Sequence, residues 1–230
     1  MDFSNSVILV TGASRGIGLC LCNLLTEYGA KVIGIYNETK IKNVLFDAYK
    51  CDISSELEIK KLFKYIKNKY GTLNVLVNLA ALCLDNDLYD KTKKEFMKVL
   101  EVNLVGTFLM CKEASLLMNK GVIVNMSSTD AQDTFSTFSM DYAASKAGVE
   151  NLTKNLANRL PNIKVCAISP NWIDTETVLN MDKEYLKNEM KRIGQKKLIK
   201  KEEVVIKIVE TIVSDDIVSG DIIRMVDSNE

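Results

Sequence analysis

Histidine is absent from the 230 residues of this chain. The sequence therefore excludes Ser-His-Asp hydrolysis, Cys-His proteolysis and most zinc chemistry, because each of these relies on an imidazole as base or ligand. The six cysteines include no C-x-x-C pair, so we expect buried, reduced thiols, and we predict no metal site. Proton transfer in this protein must therefore use tyrosine, lysine, carboxylates or water.

Net charge and long apolar runs are also absent. Thirty basic side chains balance thirty acidic ones, which gives no indication of a nucleic-acid or membrane-surface partner. No apolar run approaches the ~20 residues of a membrane span. The first apolar run begins at Val7, which leaves no room for a signal peptide. We therefore expect a cytoplasmic protein with neither a nucleic-acid nor a membrane partner.

No repeat, low-complexity tract or linker-like segment interrupts the chain, so we expect one domain over residues 1–230. Within it, short apolar runs alternate with helical patterns. This alternation predicts an α/β fold with a doubly wound parallel sheet of about seven strands and helices on both faces. Only eleven residues, 37–47, separate the second and third predicted strands. A full helical crossover needs more, so we expect this one to be reduced to a turn.

The ends of each pattern give the predicted elements. The strands are Val7–Val10, Val32–Tyr36, Ala48–Cys51, Leu73–Val77, Val122–Met126, Val165–Ile168 and Asp221–Val226. The later helices span Ser55–Gly71, Thr92–Met118, Tyr142–Asn158 and Glu202–Val213. Ser55–Glu58 and Thr92–Glu95 each have the residue pattern of a capping box. Residues 175–201 are charged and have no strong helical period.

The stretch Val7–Gly18, VILVTGASRGIG, joins a buried strand to a helix through a glycine-rich turn. Gly12, Gly16 and Gly18 let a backbone approach phosphates closely, and the helix N-terminus supplies unpaired N–H groups. This geometry predicts a dinucleotide site. Small and polar residues also follow the other strands, at the edge where parallel sheets bind ligands.

A second motif, Tyr142-Ala-Ala-Ser-Lys146, places a phenol and an ammonium four residues apart on one helix face. A free phenol has a pKa near ~10. A neighbouring ammonium favours the phenolate, so we expect Lys146 to lower the pKa of Tyr142. Ser128 lies at the end of the preceding strand, where it can hydrogen-bond a carbonyl oxygen.

Taken together, these motifs resemble the short-chain dehydrogenase/reductase family. Thr11-Gly-x-x-x-Gly-x-Gly18 matches its cofactor motif, and Tyr142-x-x-x-Lys146 matches its catalytic motif. Asn125-Met-Ser-Ser128 and Glu101-Val-Asn103 resemble the stretches that carry its catalytic serine and asparagine. The resemblance covers nearly the whole chain and implies a Rossmann-type fold and a nicotinamide-dependent oxidoreductase.

The resemblance also implies a role for each site residue. Tyr142 exchanges a proton with the substrate oxygen, Ser128 holds that oxygen, and Lys146 binds the nicotinamide ribose. Asn103 positions a water that links the lysine to solvent. Asp52 and Ile53 contact adenine, and Thr175 contacts the carboxamide. The predicted cofactor-binding residues are Gly12, Ser14, Arg15, Gly16, Ile17, Gly18, Tyr36, Asn37, Asp52, Ile53, Asn78, Ala80, Tyr142, Lys146, Pro170, Ile173 and Thr175.

Three substitutions depart from the family pattern: Leu79 and Ala81 after the fourth strand, and Asn171 after Pro170. All three put side chains where the backbone lies close to the cofactor. The spacing from Ser128 to Tyr142 is one residue longer than expected, so Ser127 and Thr129 stay alternatives for the serine role.

The end of the second strand bears on the choice of cofactor. Tyr36 stands there in place of an acidic residue, and Arg15 can pair with a 2′-phosphate, so we predict NADP(H) over NAD(H).

The resemblance implies a small carbonyl or alcohol substrate, and 3-oxoacyl-thioester reductases, such as 3-oxoacyl-acyl-carrier-protein reductase, are the most similar members. The alternatives are a sugar dehydrogenase of the aldohexose type, which the short second crossover resembles, and a nucleotide-binding protein without turnover. Residues 175–197 are expected to form a lid over the substrate. A homotetramer or homodimer is implied, with Thr92–Met118 and Tyr142–Asn158 at its interface.

Overall fold

The computed structural model describes residues 3–226, so the ends of the predicted domain, residues 1–2 and 227–230, lie outside the described residues. Its strands are β1 (Val7–Val10), β2 (Lys31–Tyr36), β3 (Asp47–Lys50), β4 (Val75–Asn78), β5 (Gly121–Met126), β6 (Ile163–Pro170) and β7 (Ile222–Met225). Its α-helices are α1 (Gly16–Glu27), α2 (Glu56–Tyr70), α3 (Lys93–Leu100), α4 (Thr107–Leu117), α5 (Met140–Arg159), α6 (Glu176–Leu179), α7 (Lys183–Arg192) and α8 (Lys201–Val213).

The seven strands form one parallel sheet in the order β3-β2-β1-β4-β5-β6-β7. The predicted doubly wound α/β fold is therefore confirmed. The strand order reverses between β1 and β4, and in such sheets this reversal opens a crevice at the carboxyl ends of the strands. The crevice is where the glycine turn after β1 and the loop after β4 diverge.

Both faces of the sheet are covered by apolar side chains. As a result, β1 and β4 are buried along their whole length. One face packs against α2 and α4 through residues such as Leu62, Ile66 and Met110. The other packs against α1 and α8 through residues such as Leu21 and Ile208. Burial on both faces explains why these strands are nearly continuous apolar runs. Their first polar groups come at the carboxyl edge.

The structure changes two of the predicted elements and confirms a third. The predicted helix Thr92–Met118 is divided into α3, a π-helical segment (Glu101–Gly106) and α4. Residues 175–201, which have no strong period, contain α6 and α7. The second crossover, residues 37–46, contains no helix, as predicted.

Among residues 3–226, no helix has the length and apolar character needed to cross a membrane.

Candidate active site

A cleft with a volume of about 1030 Å³ lies beyond the carboxyl ends of the strands, at the point where the strand order reverses. The predicted site residues that line it are Gly12, Ser14, Arg15, Gly16, Ile17, Gly18, Tyr36, Asn37, Asp52, Ile53, Ala80, Ser128, Tyr142, Lys146, Pro170, Ile173 and Thr175. Two others, Asn78 and Asn103, are buried behind the cleft wall. The fold thus brings residues from six strand ends and from helices α1 and α5 into a single cavity.

The glycine turn has the close packing that a phosphate-binding turn requires. Gly12 has a φ of +70°, and a Cβ there would lie 2.9 Å from the backbone nitrogen of Ala80. A Cβ on Gly18 would lie 2.3 Å from the carbonyl oxygen of Gly12. Thr11 Oγ1 fixes the same corner, because it accepts hydrogen bonds of 2.9 Å from the backbone of both Leu79 and Ala80.

The start of α1 is left open to a ligand. Its N-cap residue, Arg15, makes no side-chain hydrogen bond to the helix, so the first-turn N–H groups have no side-chain cap. A Cβ on Gly16 would meet nothing nearer than Thr175 Cγ2, at 3.8 Å. A tight turn, an uncapped helix N-terminus and open space beside them fit the pyrophosphate of a dinucleotide.

Three polar groups meet at the other half of the cleft. Lys146 Nζ lies 5.4 Å from the centre of the Tyr142 ring and donates a 2.7 Å hydrogen bond to the carbonyl of Met126. The side chain of Ser128 forms a hydrogen bond with Tyr142. One turn of α5 and the end of β5 therefore hold a phenol, an ammonium and a hydroxyl together.

Burial is the largest influence on the pKa values of Tyr142 and Lys146. Desolvation raises the pKa of the Tyr142 phenol, Cys83 and Asp130 raise it further, and the hydrogen bond with Ser128 lowers it. Desolvation also lowers the pKa of Lys146 to about 8. The expectation that the pKa of Tyr142 lies below its ordinary value is therefore wrong in this geometry. Loss of water raises the pKa of the phenol, which holds its proton at neutral pH.

The two alternatives to Ser128 for the serine role form hydrogen bonds with other side chains. Ser127 Oγ donates a 2.9 Å hydrogen bond to Glu150 Oε1, and Thr129 Oγ1 donates a 2.5 Å hydrogen bond to Asn171 Oδ1. Ser128 Oγ accepts a 3.2 Å bond from the backbone of Asp130, which leaves it able to donate towards the cleft. The geometry thus favours Ser128 for the serine role.

The buried side chains of Asn103 and Asn78 lie behind the wall of the cleft and form hydrogen bonds there. Asn103 Oδ1 accepts from the backbone N–H of Leu82 at 2.8 Å, and its Nδ2 donates to the carbonyl of Leu82 at 2.8 Å and to Ser145 Oγ at 3.0 Å. Asn78 Nδ2 donates to Asn125 Oδ1 at 2.9 Å. Asn78 Oδ1 has no hydrogen-bond partner in the part of the chain that the structure describes.

The departures from the family pattern, Leu79, Ala81 and Asn171, all line the cleft. The cavity stays open beside them.

Sequence reasoning missed Glu38 and Cys83, which also line the cleft. Glu38 was overlooked because it lies two residues beyond the end of β2. Cys83 was expected to be buried but is exposed, since it sits in a loop after β4, and no periodicity marks it. Cys20 is partly exposed, whereas the other four cysteines are buried as expected.

Comparison with known proteins places the chain among short chain dehydrogenases. The family model for short chain dehydrogenases matches residues 6–186. Carbonyl reductase family member 4 of Xenopus laevis is 33% identical over 83% of this chain and 85% of its own length. The 3-oxoacyl-[acyl-carrier-protein] reductase FabG of Vibrio cholerae is 30% identical over 76% of this chain and 77% of its own.

Solved structures give the same result for the fold. A short chain dehydrogenase from Leptospira borgpetersenii with bound NAD⁺ superposes with a TM-score of 0.88 at 26% identity, covering 98% of this chain and 92% of that one. The ligand-free aldohexose dehydrogenase of Thermoplasma acidophilum has a TM-score of 0.84 at 26% identity, covering 96% and 92%. The chain belongs to the short-chain dehydrogenase family of oxidoreductases.

Proposed function

We propose that this protein transfers a hydride between NADP(H) and a carbonyl or secondary alcohol, with a 3-oxoacyl thioester as the substrate class. The observation that carries the proposal is the placement of Tyr142, Lys146 and Ser128 in the same cleft as the open glycine turn. A protein that only binds nucleotides needs the turn but has no use for this group, so the arrangement favours turnover over a non-catalytic role.

The protein residues supply proton transfer and orientation. Tyr142, which keeps its proton at neutral pH, donates it to the substrate oxygen during reduction. Ser128 donates a hydrogen bond to the same oxygen and so stabilises the charge that develops there. Lys146 binds the nicotinamide ribose, and its ammonium lies near the Tyr142 ring. A bound nicotinamide cofactor supplies or accepts the hydride.

Asn103 acts through the residues that it contacts and does not touch the substrate. Its side chain is committed to Leu82 and Ser145, which supports a role in fixing the cleft wall against α5. The water that Asn103 is expected to position beside Lys146 stays a prediction.

Most of the cofactor would be held by backbone and small side chains. The glycine turn and Ser14 take the pyrophosphate, and Asp52 and Ile53 flank the adenine. Asn78 supports this region from behind the wall. Pro170, Ile173 and Thr175 lie at the nicotinamide end, where Thr175 is also the N-cap of α6.

Arg15 supports NADP(H) over NAD(H). Its side chain is exposed at the cleft and has no hydrogen-bond or ion-pair partner within residues 3–226, so it is available to a 2′-phosphate. Tyr36 at the end of β2 and Asn37 directly after it offer no carboxylate to the ribose hydroxyls. Glu38 opposes this preference, because its carboxylate lies in the same part of the cleft and repels a phosphate.

The substrate class rests on similarity to the Vibrio cholerae 3-oxoacyl-[acyl-carrier-protein] reductase. The likeness to the aldohexose dehydrogenase of Thermoplasma acidophilum supports a sugar as the second candidate. Residues 175–197, which contain α6 and α7, would form the lid that discriminates between them.

We also propose a homotetramer, or a homodimer, assembled through α3, α4 and α5. Met97 on α3, Val105 in the π-helical segment and Phe108 on α4 expose 44%, 44% and 43% of their surface. A cytoplasmic location stays a prediction.

A fluorescence titration tests the cofactor proposal. Trp172 is the single tryptophan of the sequence and lines the cleft, so bound nucleotide should quench its emission. We expect NADPH to bind at least tenfold more tightly than NADH. Arg15→Glu should remove most of that difference, because it places a carboxylate against the phosphate.

Lys31→Glu, the same charge reversal at the exposed first residue of β2, is the matched control and should change neither affinity. Equal losses for NADPH and NADH in Arg15→Glu would refute the phosphate contact. Absence of binding by both nucleotides would refute the oxidoreductase mechanism proposed here. With binding established, acetoacetyl-CoA and glucose assayed side by side distinguish the two substrate classes.

A further inference from the structure

A buried ion pair links the substrate side of the cleft to the helix that carries Tyr142. Lys91 Nζ lies 2.9 Å from Asp141 Oδ2, and the two side chains are 6% and 0% exposed. Lys91 stands at the end of the β4–α3 loop (residues 79–92), and Asp141 lies in the first turn of α5, directly before Tyr142. The pair joins segments that are 50 residues apart in the chain.

Both members of the pair make a second contact that extends the link. Lys91 Nζ also donates a hydrogen bond to the carbonyl of Leu84, in the middle of the β4–α3 loop. Asp141 Oδ1 accepts the backbone N–H of Tyr142 at 2.9 Å. A continuous chain of charged and hydrogen-bonded groups therefore runs from Leu84 to the backbone of Tyr142.

The segment held at one end of this chain forms part of the cleft wall. Cys83 and Asp85, the neighbours of Leu84, line the cleft together with Tyr142. One further hydrogen bond joins the same segments, from the backbone N–H of Asn86 to the carbonyl of Phe138 at 3.0 Å. The spacing between the wall and the phenol thus depends on these contacts and on Asn103, which joins Leu82 in the loop to Ser145 on α5.

We propose that Lys91 and Asp141 are positioning residues, which fix the β4–α3 loop at the distance from Tyr142 that the substrate carbonyl requires. This inference rests on the proposed oxidoreductase function. A buried ion pair contributes little net stability, because the attraction roughly repays the desolvation of both charges. Its directionality does constrain geometry, and a displacement of about 1 Å at a reacting group costs up to ~100-fold in rate.

The test must remove the link without leaving a lone buried charge, since a single substitution would destabilise the fold. The double variant Lys91→Met/Asp141→Asn meets this need. Methionine keeps the length of the lysine stem, and the asparagine amide oxygen still accepts the N–H of Tyr142. The matched control is Lys207→Met/Glu210→Gln, which removes an exposed ion pair on α8.

Two readouts are compared with the wild type. Hydrogen–deuterium exchange reports the link directly, and we expect the amides of residues 82–86 to exchange at least tenfold faster in the double variant. Steady-state reduction of acetoacetyl-CoA by NADPH reports whether turnover depends on the link. We expect kcat/KM to fall at least tenfold in the double variant. The Kd for NADPH should stay within twofold, and the control variant should match the wild type in every readout.

Unchanged exchange at residues 82–86 would overturn the proposal, and so would an unchanged kcat/KM where the wild type is active. A tenfold loss of NADPH affinity would also overturn it, because the effect would then not be confined to the substrate wall. If the wild type does not reduce acetoacetyl-CoA, the proposed substrate class fails alone, and the exchange result decides whether the link holds the loop.

Discussion

The phenol of Tyr142 is half-buried at the wall of the cleft, where desolvation raises its pKa and Ser128 forms a hydrogen bond with it. A raised pKa keeps the proton on the phenol, which suits donation to a carbonyl oxygen. Removal of a proton from an alcohol needs the phenolate, which this environment disfavours. At the scale of single residues, burial therefore favours the protonated phenol, which is the form that the proposed reduction requires.

Substituting Tyr142→Phe removes the proton donor and keeps the ring. We expect kcat for acetoacetyl-CoA reduction to fall by at least ~100-fold, the usual contribution of a general acid, while the Kd for NADPH stays within about threefold. Steady-state kinetics and the Trp172 titration measure the two quantities. Tyr89→Phe, which removes a phenol that is 92% exposed, is the control. Near-normal turnover in Tyr142→Phe would contradict the assigned role.

The pKa of Lys146 predicts how the rate of reduction depends on pH. Its pKa is lowered from the ordinary value to about 8, because burial disfavours the ammonium. The ammonium is therefore present below about pH 8 and is lost as the pH rises through that value, whereas an exposed lysine keeps its charge up to about pH 10. If the charge assists the reaction, single-turnover reduction in the NADPH-loaded enzyme should fall above about pH 8.

Arginine keeps its charge throughout this range, so Lys146→Arg should have a lower rate that no longer falls above pH 8. Lys154→Arg, an exposed lysine on the same helix, should keep the wild-type profile. An identical fall in Lys146→Arg would assign the titration to another group.

At the scale of elements, the sequence predicts best where one local signal decides the structure. The pattern Thr92-x-x-Glu95 forms a full capping box, with hydrogen bonds in both directions. The similar pattern at Ser55 forms only half of one. Glu58 accepts the backbone N–H of Asp52 instead, at 2.8 Å, because the loop after β3 brings that group within reach. The four-residue pattern does not include the competing donor, which lies three residues before Ser55.

The π-helical segment Glu101–Gly106 is a second case. Its sequence continues the helical pattern, so a single helix is the natural prediction. The wider turn includes Asn103, whose side chain bonds to Leu82 in the β4–α3 loop and to Ser145 on α5. These partners come from distant parts of the chain. Only the tertiary structure specifies them, although the residue itself is identified by its resemblance to a family motif.

The lid segment is a third case. Helix α7 is predominantly polar, and none of its residues is fully buried, so its apolar positions are too few to give a clear period. Arg192 at its end donates hydrogen bonds to the carbonyls of Thr134 and Phe135. Contacts of this kind hold a helix in place without leaving a pattern in the sequence.

At the scale of the whole molecule, one topological fact places the site. The strand order reverses between β1 and β4, so the glycine turn and the β4–α3 loop separate and leave a cleft at the carboxyl edge. Alternating apolar runs were enough to predict this architecture. The helical stretch that carries Asn103 also exposes apolar side chains such as Val105 and Phe108, which connects the site to the proposed assembly.

Phe108 tests that assembly. It lies on α4 with 43% of its surface exposed, and burial of a carboxylate at this position in an interface would cost more than the contact contributes. If the wild type forms the proposed tetramer or dimer, light scattering should show that Phe108→Asp forms a smaller species, with unchanged far-ultraviolet circular dichroism. Leu57→Asp, at an exposed position on α2, should keep the wild-type mass. A monomeric wild type, or a Phe108→Asp variant of unchanged mass, would exclude this face as the interface.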